Sequence, residues 1–172
     1  MIVLYHIGRV LSVLILSFTV VSCSNGDDVK AIRALIKEGS NLAEERDIGA
    51  LMKLTTDDFV ALPGELDRRG TKGILWRAFN YYKTFKILYP RPDVDLGAEG
   101  SVSTATFPFL IVKKDHAFNK LKELYEDPQR WLLEAGKSAD LYSLKLELTK
   151  NGGDWSVRRA TLKKFTGYSF RE

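Results

Sequence analysis

The sequence predicts an α+β domain in which N-terminal helices pack on a curved antiparallel sheet, with a helical insertion before the closing hairpin. Three observations predict it. Apolar residues between Asp28 and Tyr82 recur mainly at helical spacing. From Leu141 to Phe165 they alternate with polar residues about an Asn-Gly-Gly-Asp turn, the period of half-buried strands. Helical spacing returns only between Asp115 and Asp140, inside the strand-rich half.

The 172 residues suffice for one domain with a real core. Hydrophobic residues at 45% and charged residues at 28% place the chain with globular proteins rather than disordered or multi-spanning ones. The net charge of +4 is spread among acids rather than blocked, so nucleic acid is not an expected partner.

Residues 1–22 read as a signal peptide: Arg9 gives a thin positive region, Val10 to Val21 is largely apolar, and small Ser22 precedes Cys23. The run is short of the roughly 20 apolar residues that cross a bilayer. Val20-Val21-Ser22-Cys23 resembles the lipobox of bacterial lipoproteins. The resemblance implies that Cys23, the single cysteine, carries a lipid anchor, with a short tether over residues 23–28 and one domain over 29–172. Ser24 after the cysteine resembles the outer-membrane sorting signal, which implies an envelope protein held at the outer membrane and facing the periplasm. The tether reaches at most roughly 16–18 Å if extended. The alternative for Cys23 is a buried thiol at the end of an uncleaved anchor helix.

Asp27 or Asp28 can cap the first helix, whose apolar face holds Ile32, Leu35, Ile36, Leu42 and Ala43. Asp47 caps a short second helix, Phe59 to Leu62 is extended, and Pro63-Gly64 ends it. Thr71 caps a third helix with Ile74, Leu75, Ala78, Phe79 and Tyr82 on one stripe and Trp76 and Tyr81 off it. After Pro90 and Pro92, Val94–Leu96 and Ser101–Lys113 read as strands. The longer one is apolar on both faces, with Pro108 marking an edge or bulge. In the insertion, Phe118, Leu121, Leu124 and Tyr125 form one helix. Asp127-Pro128 opens another carrying Trp131, Leu132 and Leu133, which are expected to cap the open end of the fold; exposed, Trp131 and Leu132 would instead anchor a partner. Tyr142, Leu144, Leu146 and Leu148 share the inner face of the hairpin's first strand. In the return strand Trp155 and Val157 are out of phase with Ala160 and Leu162, which places a bulge near Arg158 and Arg159.

This order of elements, with Phe59-Val60-Ala61-Leu62, Arg69-Gly70-Thr71-Lys72-Gly73-Ile74 and Asn151-Gly152-Gly153-Asp154-Trp155-Ser156-Val157, resembles the nuclear transport factor 2-like superfamily, which includes SnoaL-like and ketosteroid isomerase-like proteins. The resemblance spans roughly Asp28 to Phe165. It implies a cystatin-like cone with a pocket between sheet and helix, and homodimers formed through the sheet. Trp76, Phe79, Tyr82, Phe107, Phe109, Tyr142 and Trp155 are the candidates to line such a pocket. For acid–base catalysis the candidates are Asp58, Tyr81 and Tyr82, with His116 a weaker one; a solvated turn and core or surface packing explain the same residues. No phosphate loop, paired metal ligands or nucleophile elbow is present, so no cofactor or metal is expected. The function expected is a membrane-anchored, non-catalytic binder of a small apolar ligand or an envelope protein. The alternative is a ketosteroid isomerase-like enzyme.

Overall fold

The computed structural model describes residues 24–113, 119–135, 141–165 and 170–171; Cys23 and His116 lie outside the described residues. The elements are α1 (Ser24–Glu45), α2 (Ile48–Lys53), β1 (Thr55–Leu62), α3 (Arg68–Tyr82), β2 (Phe85–Leu88), β3 (Asp93–Leu96), β4 (Val102–Lys113), α4 (Asn119–Glu123), α5 (Pro128–Ala135), β5 (Leu141–Asn151), β6 (Asp154–Phe165) and β7 (Phe170–Arg171). They form helices on a curved mixed sheet, an α+β fold. The strand order is β1-β6-β5-β4-β2, with β3 also on β4 and β7 on β6.

The sheet is mixed because β1 runs parallel to β6, where an antiparallel sheet was expected. The reason is where α2 delivers the chain: Leu54 accepts a bond from the amide of Val157 at 2.9 Å, so β1 starts at the end where β6 also starts. The short β2 was not expected from sequence. It and β3 occupy opposite halves of the β4 edge, pairing with Leu110–Lys113 and Ser103–Thr106. Pro108 falls in the gap between them, where β4 needs no donor.

The hairpin bulges at Arg158. Leu148 pairs with Val157 and Glu147 with Arg159, leaving Arg158 as the extra residue. Trp155, Val157 and Ala160 thereby all join the inner core. Gly152 and Gly153 make the preceding turn at φ 61° and 102°, where a side chain would be strained.

α1 lies across the inner face. Ile32, Ile36, Phe59, Ala105, Phe107, Leu146, Leu148, Trp155 and Val157 form one buried cluster between helix and sheet. Each large apolar side chain buried there contributes about 1.5–3 kcal/mol. Arg33 donates to the carbonyl of Pro92 at 3.3 Å, and Glu44 accepts from the amide of Ile87 at 2.8 Å and pairs with Lys86. Residues 24–28, expected as an extended tether, are the first turn of α1. Five helical residues rise only about 7–8 Å.

Two caps differ from expectation. α1 starts before Asp27 and Asp28, which are therefore helical residues rather than caps. α3 is capped by Asp67, whose carboxylate accepts from the amide of Gly70 at 2.7 Å, while Thr71 is buried within the first turn. Asp47 and Asp127 do cap, accepting from the amides of Ala50 at 2.8 Å and Arg130 at 3.1 Å. Ile74, expected on the buried stripe of α3, is 45% exposed because the core lies toward Thr71, Leu75, Phe79 and Tyr82.

The insertion does not cap the open end of the cone. Trp131 is fully buried, in a cluster with Leu88, Leu110, Val112, Leu121, Ala135 and Leu141. Leu110 pairs laterally with Leu88 and Leu141, on the face opposite Phe109, which packs into the inner core. α4 and α5 thus cover the outer face of the sheet. Both faces of β4 are apolar because each is covered. Trp131 is correspondingly not an exposed anchor, and Leu132 is partly buried beside it.

Candidate functional site

The sequence-predicted residues fall in separate places. Phe107 and Trp155 are buried in the inner core with Phe109 packed on them, and Tyr142 stacks on Phe109 at 5.5 Å. Phe79 lies in another cluster with Phe85 and Ala43, against which Tyr82 packs. Trp76 is 63% exposed and borders a surface groove of about 280 Å³ with Glu45, Arg46, Ile48, Phe79 and Asn80. These aromatics fill the space between helix and sheet, or face outward, rather than ringing one pocket. Another groove, of about 210 Å³, runs between α1 and β2 beside Glu44 and Lys86.

The catalytic candidates are not gathered either. The carboxylate of Asp58 stands on β1, 65% exposed, paired with Arg158 at 3.1 Å. Tyr81 is 81% exposed and meets the neighbouring Tyr82 edge to face at 5.1 Å. Among the described residues no group of three His, Cys, Asp or Glu side chains could hold a metal ion.

One buried charged group does sit at the inner face, and sequence reasoning missed it. Asp28, 8% exposed, precedes Ile32 by one turn on the buried side of α1. Its Oδ1 accepts from Lys150 Nζ at 2.6 Å and from the indole Nε1 of Trp155 at 3.0 Å. Lys150 also lies 5.8 Å from the centre of the Trp155 ring. The signal was in the strand: Lys150 continues the inward row Tyr142, Leu144, Leu146, Leu148, and a buried indole N–H calls for an acceptor. Hydrogen bonds from Lys150 and then Trp155 hold the Asp28 carboxyl below the ordinary carboxylate range, against the opposing effect of burial.

The cluster is a clasp between the start of α1 and the closing hairpin. Both Asp28 bonds favour the ionised form, so the stability they give is full above about pH 4, the ordinary carboxylate value, and is lost as pH falls through the depressed pKa. Asp28→Asn is expected to lower the urea midpoint at pH 7 and to flatten its dependence below pH 4. Equal acid sensitivity in variant and wild type would sink this account.

This arrangement of helices and curved sheet superposes on solved structures. A nuclear transport factor 2-like protein with a cystatin-like fold from Novosphingobium aromaticivorans superposes at TM-score 0.60 and 15% identity, covering 83% of this chain and 85% of that one. The chain has a nuclear transport factor 2-like, cystatin-like fold. A cystatin-like protein of Caulobacter vibrioides shares this cone at TM-score 0.59 and 12% identity, covering 82% and 92% of the two chains. A candidate scytalone dehydratase from Novosphingobium aromaticivorans shares it at TM-score 0.61 and 13% identity, covering 86% and 92%. No protein-family model matches the chain, and no curated protein is significantly similar to it. The cone commonly forms ligand-binding or isomerase and dehydratase pockets. In this chain its inner face carries packed apolar side chains and the Asp28 clasp.

Proposed function

We propose that the protein is a lipoprotein of the bacterial cell envelope, anchored through Cys23 at the outer membrane and facing the periplasm, whose cone domain binds a partner rather than catalysing a reaction. The carrying observation is the inner face: Ile32, Phe107 and Trp155 are buried in one cluster between helix and sheet, and the buried acid there, Asp28, is engaged by Lys150 and Trp155. An inner face packed with the chain's own side chains favours an envelope partner over a small apolar ligand. The ketosteroid isomerase-like alternative needs Asp58 inside the cone beside a tyrosine hydroxyl, whereas its carboxylate is exposed and paired with Arg158. A homodimer through the sheet would have to use the outer face left open by α4 and α5, where Glu147 and Arg159 pair at 3.6 Å.

The anchor rests on the Val20–Cys23 lipobox. Metabolic labelling with palmitate is expected to mark the wild type and not Cys23→Ser, and the variant should retain its signal peptide. An unlabelled wild-type protein, or label persisting in the variant, would remove the anchor from this reading.

A further inference from the structure

We propose that the outer face of α3 docks on an anionic phospholipid bilayer, so that the domain lies against the membrane instead of standing off it. The anchor reading supplies the bilayer's proximity; the docking is a property of α3 itself.

Residues 68–92 contain no aspartate or glutamate. Arg68, Lys86 and Arg91 are neutralised by Asp57, Glu44 and Glu126. Arg69, Lys72, Arg77 and Lys83 are exposed, and among the described residues none of them is in an ion pair. Two large aromatics share this surface, Trp76 at 63% and Tyr81 at 81% exposure. Five residues apart on a helix of 3.6 residues per turn, they flank the exposed face on opposite sides, with Arg77 between them. A helix laid flat on a bilayer with this face down puts an indole and a phenol at headgroup depth, where such rings are enriched, and cationic groups among lipid phosphates.

The shape favours a bilayer over an acidic protein. The basic groups run along one convex helix, while the groove beside Trp76 carries Glu45 on its wall. Position agrees. α3 packs by Phe79 against Ala43 near the C-terminal end of α1, and the 22 residues of α1 span about 33 Å. A lipid on Cys23 at the other end would allow the domain to lie down on two contacts, with headgroups at high effective concentration.

The test uses the mature acylated protein in vesicles of phosphatidylcholine alone and in vesicles enriched in phosphatidylglycerol. Of the three tryptophans, Trp131 and Trp155 are 0% and 6% exposed, so acrylamide quenching reads Trp76. On phosphatidylglycerol, quenching by acrylamide should fall, quenching by bromine-labelled acyl chains should rise, and high salt should reverse both. Each basic charge removed should lower the docked-to-undocked ratio about five-fold, so Arg69→Glu with Lys72→Glu should restore full acrylamide access with an unchanged circular dichroism spectrum. Equal access to Trp76 on both vesicle types would overturn the proposal, as would shielding of Trp76 only by an acidic envelope protein. Loss of the anchor is separable: unacylated protein would fail to float with phosphatidylcholine vesicles, yet would still float with phosphatidylglycerol ones if α3 docks.

Discussion

Deletion of Ser156 is expected to destabilise the domain by about 3–5 kcal/mol, a large share of the roughly 5–15 kcal/mol typical of a folded domain. Ser156 separates Trp155 from Val157, which pair with Lys150 and Leu148 and are both buried in the inner core. Without it the two become neighbours in one strand, and neighbours point to opposite faces. One of them therefore leaves the core: Trp155, which gives up its bond to Asp28, or Val157, whose place Arg158 takes if the bulge is absorbed. Ser156→Ala is the control. It keeps the spacing and removes only a half-buried hydroxyl. Urea unfolding followed by near-ultraviolet circular dichroism separates the two. A deletion as stable as the substitution would mean that the spacing of Trp155 and Val157 does not set the phase of the strand.

Trp131→Ala is the second large effect, at about 3–5 kcal/mol, as for other fully buried aromatic side chains cut to alanine. Trp131 is 0% exposed and holds α5 against Leu110 and Leu141 on the outer face of the sheet. Among the described residues its indole Nε1 has no hydrogen-bond partner, so Trp131→Phe loses ring area without losing a bond and should cost much less. The readout is the urea midpoint at constant slope. A wild-type midpoint for the alanine variant would place the insertion outside the cooperative unit and reopen the outer face as an interface.

Much of the fold was legible because its signals are local. The period-two row from Tyr142 to Leu148, the turn at Gly152 and Gly153, and the phase break between Val157 and Ala160 each report one strand's relation to a single buried face. They led to the hairpin and to its bulge. Asp47 and Asp127 were legible as caps because a cap bonds an amide only three residues away. Thr71 misled because Asp67, four residues earlier, offers the same chemistry to the same orphan amides.

The candidate site was far less legible. Asp28 reads as a helix cap in sequence, since a short acid before an apolar face usually is one. Its partners lie 122 and 127 residues away, and no local pattern announces a pair that distant. The aromatics meant for one pocket were real core positions, but the side of the sheet on which each would lie depended on packing between elements.

The sequence by itself determined the order of the elements other than β2 and β7, the strand phases and the cysteine context that implies an anchor, because these depend on near neighbours and on periodicity. Only the tertiary structure decided that β1 runs parallel to β6, that the insertion covers the outer face, that the inner face packs into one apolar cluster with α1, and that Asp28 closes it on Lys150 and Trp155. Those outcomes depend on which surfaces compete for burial once the chain has folded back on itself, and that competition is decided by contacts far apart in sequence.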